Sequence, residues 1–266
     1  MSERSAAEAN RDFYAEHAAT YDATEECLVD PRQQARLRDL LEHALVRLPA
    51  GARALDACGG SGNATLLLAE QGAHPVTVDV SPDMLALLDR KARDIGFEAD
   101  TRLAPIEDFL REDETAWDLI VFSSALHHLE DPGTVLDLAA ARLAPGGLLV
   151  TVFDPMLAGG TLRRIRRADY ALHVLLKTPG RLPAILRRRG SGGESVGAQA
   201  ERHALAGLDD RALDDRLGAA GLEIVRHTRY ADARYGVTRA VLRLTRTPSA
   251  FSLVARRQAP TGSPER

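Results

Sequence analysis

Cysteine is scarce in this sequence, with only Cys27 and Cys58 among 266 residues. Two cysteines cannot build a disulfide framework, and no spacing of cysteine and histidine resembles a zinc site. A chain of this length buries a core large enough to fold without such crosslinks. The sequence therefore predicts neither a disulfide-rich scaffold nor a zinc protein, and we expect no metal in the functional site.

Long apolar runs are also missing. No stretch approaches the roughly 18 apolar residues that a membrane-spanning helix needs. Residues Met1 to Asn10 are polar and lack the apolar region of a secretory signal. These two absences predict a cytoplasmic protein.

Strand-like and helix-like patterns alternate from about residue 50 to residue 155. Short apolar runs predict strands at Ala54–Ala57, Pro75–Val80, Glu98–Ala104, Asp118–Ser123 and Leu148–Phe153, and later at Leu222–Thr228 and Phe251–Ala255. Helical patterns between the strands predict crossovers, which make the sheet parallel because each one carries the chain back across a sheet face. We predict an α/β fold with a doubly wound, mostly parallel, seven-stranded Rossmann-like sheet, helices on both faces, and a helical insertion after strand five.

Composition and pattern also predict how the chain is divided. Residues 1–49 form an N-terminal helical lid and a first packing helix, and residues 50–155 form the ligand-binding core. Residues 156–205 interrupt the alternation as a basic helical insertion. Residues 206–257 return to the core, where Val237, Ala240, Val241 and Leu244 predict a short helix before the last strand. The tail, 258–266, is predicted to be disordered.

The most informative segment is a glycine-rich loop between the first strand and its helix, Leu55 to Asn63. Glycines let the backbone turn sharply and let a ligand approach closely, and the next helix supplies free amide donors. The dinucleotide fingerprint fails because Thr65 occupies the position of its third glycine. Asp79, at the end of the second strand, is placed to accept hydrogen bonds from ribose hydroxyls. Asp56 is placed either to meet a cationic amino group or to order the loop.

Four segments resemble class I S-adenosylmethionine-dependent methyltransferases, in their small-molecule branch that includes ubiquinone- and menaquinone-biosynthesis enzymes. They are the loop Asp56 to Gly62, the segment Val76 to Leu85, the segment Ser124 to Asp131 after the fourth strand, and the turn Leu143 to Gly147. Two positions depart from the family pattern. Cys58 replaces the first loop glycine, and Pro105 stands where the family often has an acid near the adenine.

The resemblance implies a methyltransferase that binds S-adenosyl-L-methionine and methylates a small-molecule acceptor by direct in-line transfer. An alternative is a catalytically inactive regulatory or scaffold protein that binds the same cofactor. The cofactor-binding residues expected on this basis are Asp56, Ala57, Gly60, Gly62, Asp79, Val80, Met84, Ile106 and Ser123. Oxygen, nitrogen, sulfur and carbon acceptors all remain open, because activated methyl groups need alignment more than a particular catalytic motif.

Histidines and tyrosines supply the candidates for acceptor chemistry. His127 and His128 follow the fourth strand at the predicted crevice, where a histidine can act as a general base. The alternative is that they cap or pack. Tyr14 and Tyr21, on the amino-terminal lid, and His203, after the insertion, are candidates for contact with the acceptor.

The insertion is strongly basic. Nine basic residues and one acid, Asp169, lie between Thr161 and Arg189, so that this stretch carries about +8 while the whole chain carries −4. It is a solvated surface, a cap over the acceptor, or a peripheral contact with an anionic membrane through residues 161–189. We favour the cap, with membrane contact as a second role. Aromatic residues are not interleaved with the arginines, so no nucleic-acid partner is expected. The oligomeric state stays open.

Overall fold

One seven-stranded sheet organises the computed structural model, which describes residues 5–177 and 207–259. Its strands are β1 (Arg53–Ala57), β2 (His74–Asp79), β3 (Asp100–Leu103), β4 (Trp117–Ser123), β5 (Leu143–Pro155), β6 (Leu222–Tyr230) and β7 (Ala250–Arg257). The strand order is β3-β2-β1-β4-β5-β7-β6. Strands β1 to β5 are mutually parallel, and β7 runs antiparallel to β5 and to β6. The predicted fold class is confirmed.

The helices in the described ranges are α1 (Ala6–Thr24), α2 (Glu26–Val29), α3 (Pro31–Leu45), α4 (Asn63–Glu70), α5 (Pro82–Asp94), α6 (Ile106–Glu112), α7 (Pro132–Arg142), α8 (Gly160–Lys177), α9 (Asp210–Ala219) and α10 (Gly236–Leu244), with a 3-10 turn at Leu126–His128. Three of these helices begin at a residue whose type signals a helix start in the sequence. Asp30, Ser81 and Asp131 each cap a helix through their side chains, and proline follows at the first helical position. None of these helices is long and apolar enough to cross a bilayer.

Helices cover both faces of the sheet. On one face, α6, α7 and α9 bury Leu110, Leu136 and Leu217 against Ile120 and Phe122 of β4. On the other, α3 and α4 pack their leucines against the opposite side of β4 and β5. The central strands are therefore buried on both sides, as their nearly continuous apolar composition predicts.

Boundaries differ from prediction at three places. Helix α1 is one continuous helix of 19 residues, although its sequence has little periodicity. Its described side chains are mostly exposed or half-buried, because it covers a cleft instead of packing on the core. Helix α6 follows β3, where the sequence analysis named no helix, and β5 begins at Leu143, which pairs with Trp117, instead of at Leu148.

The predicted insertion is described only in part. Helix α8 occupies its first segment, where Leu162 is buried and packs with Ala158 against Leu242 of α10. Residues 178–206 lie outside the described residues, as do 260–266 of the predicted tail. The proposed division of the chain stays a prediction.

Candidate functional site

A cleft opens at the carboxyl ends of β1, β2 and β4. Successive strands are added on opposite sides of the β1/β4 pair, so the cleft lies at the switch point where open α/β sheets bind ligands. Helices α1 and α2 supply one wall through Asn10, Tyr14, Tyr21, Cys27 and Leu28. Its lining combines apolar side chains with a few polar groups, as is typical of small-molecule sites.

Most of the predicted site residues line this cleft: Tyr14, Tyr21, Gly60, Asp79, Val80, Met84, Ile106, Ser123 and His128. Four others do not line it and support it from behind: Asp56, Ala57, Gly62 and His127. His203 lies outside the described residues, so its predicted contact with the acceptor stays a prediction.

The glycine loop turns through left-handed backbone conformations. Gly62 has φ +83°, and a Cβ built there would lie 2.3 Å from Cδ1 of Leu88. Only glycine lets the start of α4 approach α5 this closely, so Gly62 acts through packing. Cys58 has φ +59° and lines the cleft. This conformation favours glycine, which explains why a glycine is usual at this position.

Asp56 orders the junction between the loop and α4. Its side chain is fully buried, and Oδ2 accepts hydrogen bonds from the backbone N–H of Thr65 (2.9 Å) and from the Thr65 hydroxyl (2.7 Å). Burial raises the pKa of Asp56 to about 6. Of the two roles predicted for Asp56, these contacts match the ordering of the loop.

Asp79 presents a carboxylate to the cleft in a fixed orientation. The backbone N–H of Gly60 donates to Oδ2 (2.9 Å), and the backbone N–H of Ser81 donates to Oδ1 (2.8 Å). Each carboxylate oxygen can accept about two hydrogen bonds, so both keep capacity for a ligand. Burial raises the pKa of Asp79, and these amides act in the opposite direction.

Two residues at the start of α6 border the far end of the cleft. Ile106 is almost fully buried and forms an apolar wall with Met84 and Ala104. Glu107, which sequence reasoning missed, also lines the cleft. Glu107 lies two residues after Pro105, the position where the family often has an acid near the adenine. The acid that the resemblance implies there is the signal that could have pointed to Glu107.

A polar cluster ties α1 to the glycine loop. The Ser61 hydroxyl donates to Asp22 (2.7 Å), and Lys91 forms an ion pair with the same carboxylate (3.0 Å) while also donating to Ser61 (3.2 Å). Helix α1 is thereby held against α5 and the loop. No sequence pattern connects these three residues, since they lie on separate elements.

His128 joins the cleft wall to α1. Its Nε2 lies 3.1 Å from the Tyr14 hydroxyl, and its backbone carbonyl accepts a hydrogen bond from the Asn10 amide (3.1 Å). Tyr14 in turn makes an edge contact with Tyr21. Burial raises the pKa of Tyr21. Of the two tyrosines predicted on the lid, Tyr14 therefore contacts His128, and Tyr21 packs against Tyr14.

His127 lies behind His128 and pairs with Asp154. The Asp154 Oδ1 atom is 2.9 Å from His127 Nδ1 and accepts the His127 backbone N–H at 3.2 Å. The two histidine rings are 4.1 Å apart. Asp154 is fully buried, and burial raises its pKa to about 7. Sequence reasoning missed Asp154, because the hydrogen bond spans 27 residues and two strands.

Backbone strain accompanies this pair. Phe153 has φ +68°, and the pairing of β5 with β7 shifts register between Val152 and Asp154. Ser124, three residues before His127, has φ +56°. Non-glycine residues rarely adopt this conformation, and such strain concentrates at functional sites. The strain therefore marks the end of β5 as part of the site.

Comparison with known proteins identifies the family. Residues 30–227 match the family described as the methyltransferase domain. This chain belongs to that family. The resemblance predicted from the four sequence segments is thereby confirmed.

Named relatives agree with this assignment. The chain is 33% identical over 161 residues to the ubiquinone biosynthesis O-methyltransferase of Xylella fastidiosa strain 9a5c, a match covering 56% of this chain and 65% of that protein. It is 31% identical over 130 residues to the enzyme of the same name from Marinobacter nauticus, covering 48% and 55%. The chain thus spans less than two thirds of the length of these curated relatives.

Solved structures share the fold. The magnesium protoporphyrin IX methyltransferase of Synechocystis PCC 6803 with bound S-adenosylmethionine superposes with a TM-score of 0.60 at 14% identity, covering 97% of this chain and 100% of that one. A [4+2]-cyclase superposes with a TM-score of 0.63 at 16% identity, covering 98% and 99%. Because these two neighbours carry different reactions, the shared fold does not by itself specify the chemistry.

Proposed function

We propose that this protein is an S-adenosylmethionine-dependent methyltransferase that acts on a small-molecule acceptor. Family membership supports the class of reaction and the cofactor. The observation that carries the proposal is Asp79, a buried carboxylate at the end of β2 that faces the cleft with its orientation set by two backbone amides.

The residues of the cleft fit this cofactor. Asp79 would accept the ribose hydroxyls, since its oxygens retain lone pairs on the cleft side. Gly60, with φ +54°, leaves the space beside Asp79 open, since a Cβ there would lie 4.0 Å from Asp79 Oδ2. Met84 and Ile106 form apolar surface suited to an adenine ring, and Glu107 adds an acceptor for its amino group.

The cofactor supplies an activated methyl group, so the protein's task is alignment and proton removal. Alignment of two reactants contributes on the order of 7–11 kcal/mol to catalysis. We assign proton removal to His128, the one of the two predicted histidines that lines the cleft. A general base typically contributes about 10²–10⁴-fold.

His127 and Asp154 position this base. Asp154 holds His127 by its ring and its backbone N–H, and His127 packs against the His128 ring. Tyr14, bonded to His128 Nε2, places α1 over the same point. We propose that Tyr14 and Tyr21 contact the acceptor from the α1 side.

For the acceptor, we propose a hydroxyl oxygen. The relatives named above are O-methyltransferases, and a neutral hydroxyl must lose a proton as it is methylated. A base at His128 meets that need. A neutral amine nitrogen attacks through its lone pair, so it would not need a base before the methyl transfer.

The basic insertion is proposed to cap the acceptor and to contact an anionic membrane through residues 161–189. Helix α8 supports this in part. It follows the carboxyl end of β5, beside the cleft, and exposes Arg163, Arg164 and Arg167 while burying Leu162.

The test is binding and turnover in one pair of variants. Asp79→Ala should weaken S-adenosylmethionine binding by about tenfold or more in calorimetry, because hydrogen bonds to a charged acceptor contribute roughly 1.5–3 kcal/mol each. Asp83→Ala, an exposed acid in the first turn of α5, is the matched control and should bind like the native protein. Equal affinity of both variants contradicts the ribose assignment. Absence of S-adenosylhomocysteine formation with every phenol and catechol tried contradicts the enzymatic one.

A further inference from the structure

Helix α10 is amphipathic, but its apolar side faces outward. Val237, Val241 and Leu244 lie on one side of the helix at spacings of four and three residues, and they are 62%, 40% and 84% exposed. The buried residues of the same helix are Thr238, Arg239 and Leu242. A helix of a globular protein normally turns its apolar side to the core. Hereafter the apolar stripe means Val237, Val241 and Leu244.

Arg239 accounts for this orientation. It is 7% exposed and pairs with Asp30 at the start of α3 (3.1 Å) and with Asp232 after β6 (3.8 Å). It also donates to the Ala233 carbonyl (2.7 Å). Turning the apolar stripe inward would move Arg239 out of these contacts. Asp232 would lose this ion pair, and Asp30 would keep only its pair with Arg32 (3.4 Å). The outward orientation of the stripe is therefore held by buried ion pairs.

The exposed charged residues beside the stripe are basic. Residues 233–249 contain no acid and four arginines, one of which is the buried Arg239, while Asp169 and Asp232 line the pocket between α8 and α10. Arg243 and Arg246 are exposed on and just after α10. Helix α8 packs beside α10 through Leu162 and Leu242, and it exposes Tyr170 together with Arg163, Arg164 and Arg167. Exposed apolar and cationic side chains thus occur together on each of these two adjacent helices.

We infer that α10 is a membrane anchor that inserts its apolar stripe into an anionic lipid surface, with Arg243 and Arg246 contacting phosphate headgroups. Lipid surfaces bind helices of this composition through a few inserted apolar side chains and Coulomb attraction. A stable protein partner needs about 800 Å² on each side, more than three side chains offer. A second copy of this chain would bring arginines against arginines, which repel.

Helix α10 lies at the same edge of the sheet as the cofactor cleft. Helix α10 precedes β7, whose first residue, Ala250, pairs with Pro155 at the carboxyl end of β5. The cofactor cleft opens at the carboxyl ends of the neighbouring parallel strands. Docking through α10 therefore brings the edge of the sheet that carries the cleft to the lipid surface, where an apolar acceptor would dissolve.

Flotation of the full chain with vesicles tests the inference, and it requires neither cofactor nor acceptor. The vesicles are phosphatidylcholine alone or phosphatidylcholine with phosphatidylglycerol. We expect binding only with phosphatidylglycerol, weaker in 0.5 M salt because screening shortens charge attraction. The double variant Val237→Asp/Leu244→Asp should reduce the bound fraction at least tenfold. Val46→Asp, 78% exposed at the end of α3 on the opposite edge of the sheet, is the matched control and should float like the native protein.

Three results overturn the inference. The first is failure of the native chain to float with either vesicle, or equal flotation of the double variant. The second is a native dimer in sedimentation that Leu244→Asp dissociates, which assigns the stripe to a second copy. The third is loss of flotation on deleting residues 178–206 with no effect of the double variant. Calorimetry with S-adenosylmethionine on the same samples reports separately on the proposed function.

Discussion

The two halves of the sheet hold their carboxylates in different ways. Around β1, β2 and β4, Asp56 and Asp79 are bonded to backbone amides and to a hydroxyl. Around β6 and β7, Asp30 and Asp232 share the guanidinium of Arg239. Asp79, held by neutral donors, keeps lone pairs for a ligand, and Asp56 orders the loop. Asp30 and Asp232, paired with the buried Arg239, hold separate elements together instead of facing a ligand. The same half of the molecule exposes the apolar stripe.

Breaking the ion pairs of the second half should produce the largest change in stability. Arg239→Met removes the buried cation that Asp30 and Asp232 share, and removal of one partner from a buried pair costs about 3–5 kcal/mol. Arg243→Met, one turn later and exposed, should change the free energy of unfolding by no more than about 0.5 kcal/mol. Urea unfolding measures both. Similar values for the two variants would show that the Arg239 pairs do not hold α10 in place.

In the first half, the largest effect is expected at Gly62. Gly62→Ala adds a left-handed backbone cost of about 1–2 kcal/mol to a clash with Leu88, which overpacking studies place at about 1–3 kcal/mol. Gly72→Ala is the matched control. Gly72 also has a positive φ, +81°, but no atom lies within 4 Å of the Cβ that alanine would add. It should therefore show the backbone cost alone. If the two alanine variants unfold with equal free energies, close packing of α4 against α5 is not what requires Gly62.

A smaller and purely catalytic effect is expected at His128. His128→Ala should lower turnover by about 10²-fold, or about 2.7 kcal/mol in activation free energy, with unchanged affinity for S-adenosylmethionine. The readout is S-adenosylhomocysteine formation with a phenol or catechol that the native protein methylates. His74→Ala, exposed at the start of β2, serves as control. Retention of most activity would mean that the acceptor needs no base or that His128 is structural.

The smallest effect concerns Asp154, which lies where the two halves meet. Burial raises its pKa to about 7, against 3.8 ordinarily, so the folded chain holds this proton more tightly than the unfolded chain. Its contribution to stability is complete below about pH 4 and is lost as the pH rises through about 7. Asp154→Asn cannot ionise beside His127 and should flatten this loss between pH 5 and pH 8. Parallel stability curves for the variant and the native protein would reject the raised pKa.

Much of the fold could be predicted from local signals in the sequence. The caps at Asp30, Ser81 and Asp131 bond backbone groups within three residues, so these helix starts could be predicted without tertiary contacts. The alternation of strands and helices could also be predicted, because it depends on the short repeats of apolar residues in each element. The glycine loop and Asp79 could be placed for the same reason, since a strand end and the turn after it are adjacent in the chain. Helix α6 was missed because it is short and has a proline at its cap position, where no side chain signals a start.

The sequence by itself determined the fold class, the family and the edge of the sheet where the ligand site lies, because these follow from local pattern and strand order. Only the tertiary structure decided which of two adjacent histidines faces the cleft, since that depends on Asp154 reaching His127 across two strands. It also decided which way α10 turns. The period of Val237, Ala240, Val241 and Leu244 predicts a helix with one apolar side, and the helix is confirmed. All four residues are exposed, because the ion pairs of Arg239 with two distant carboxylates outweigh the burial of that side.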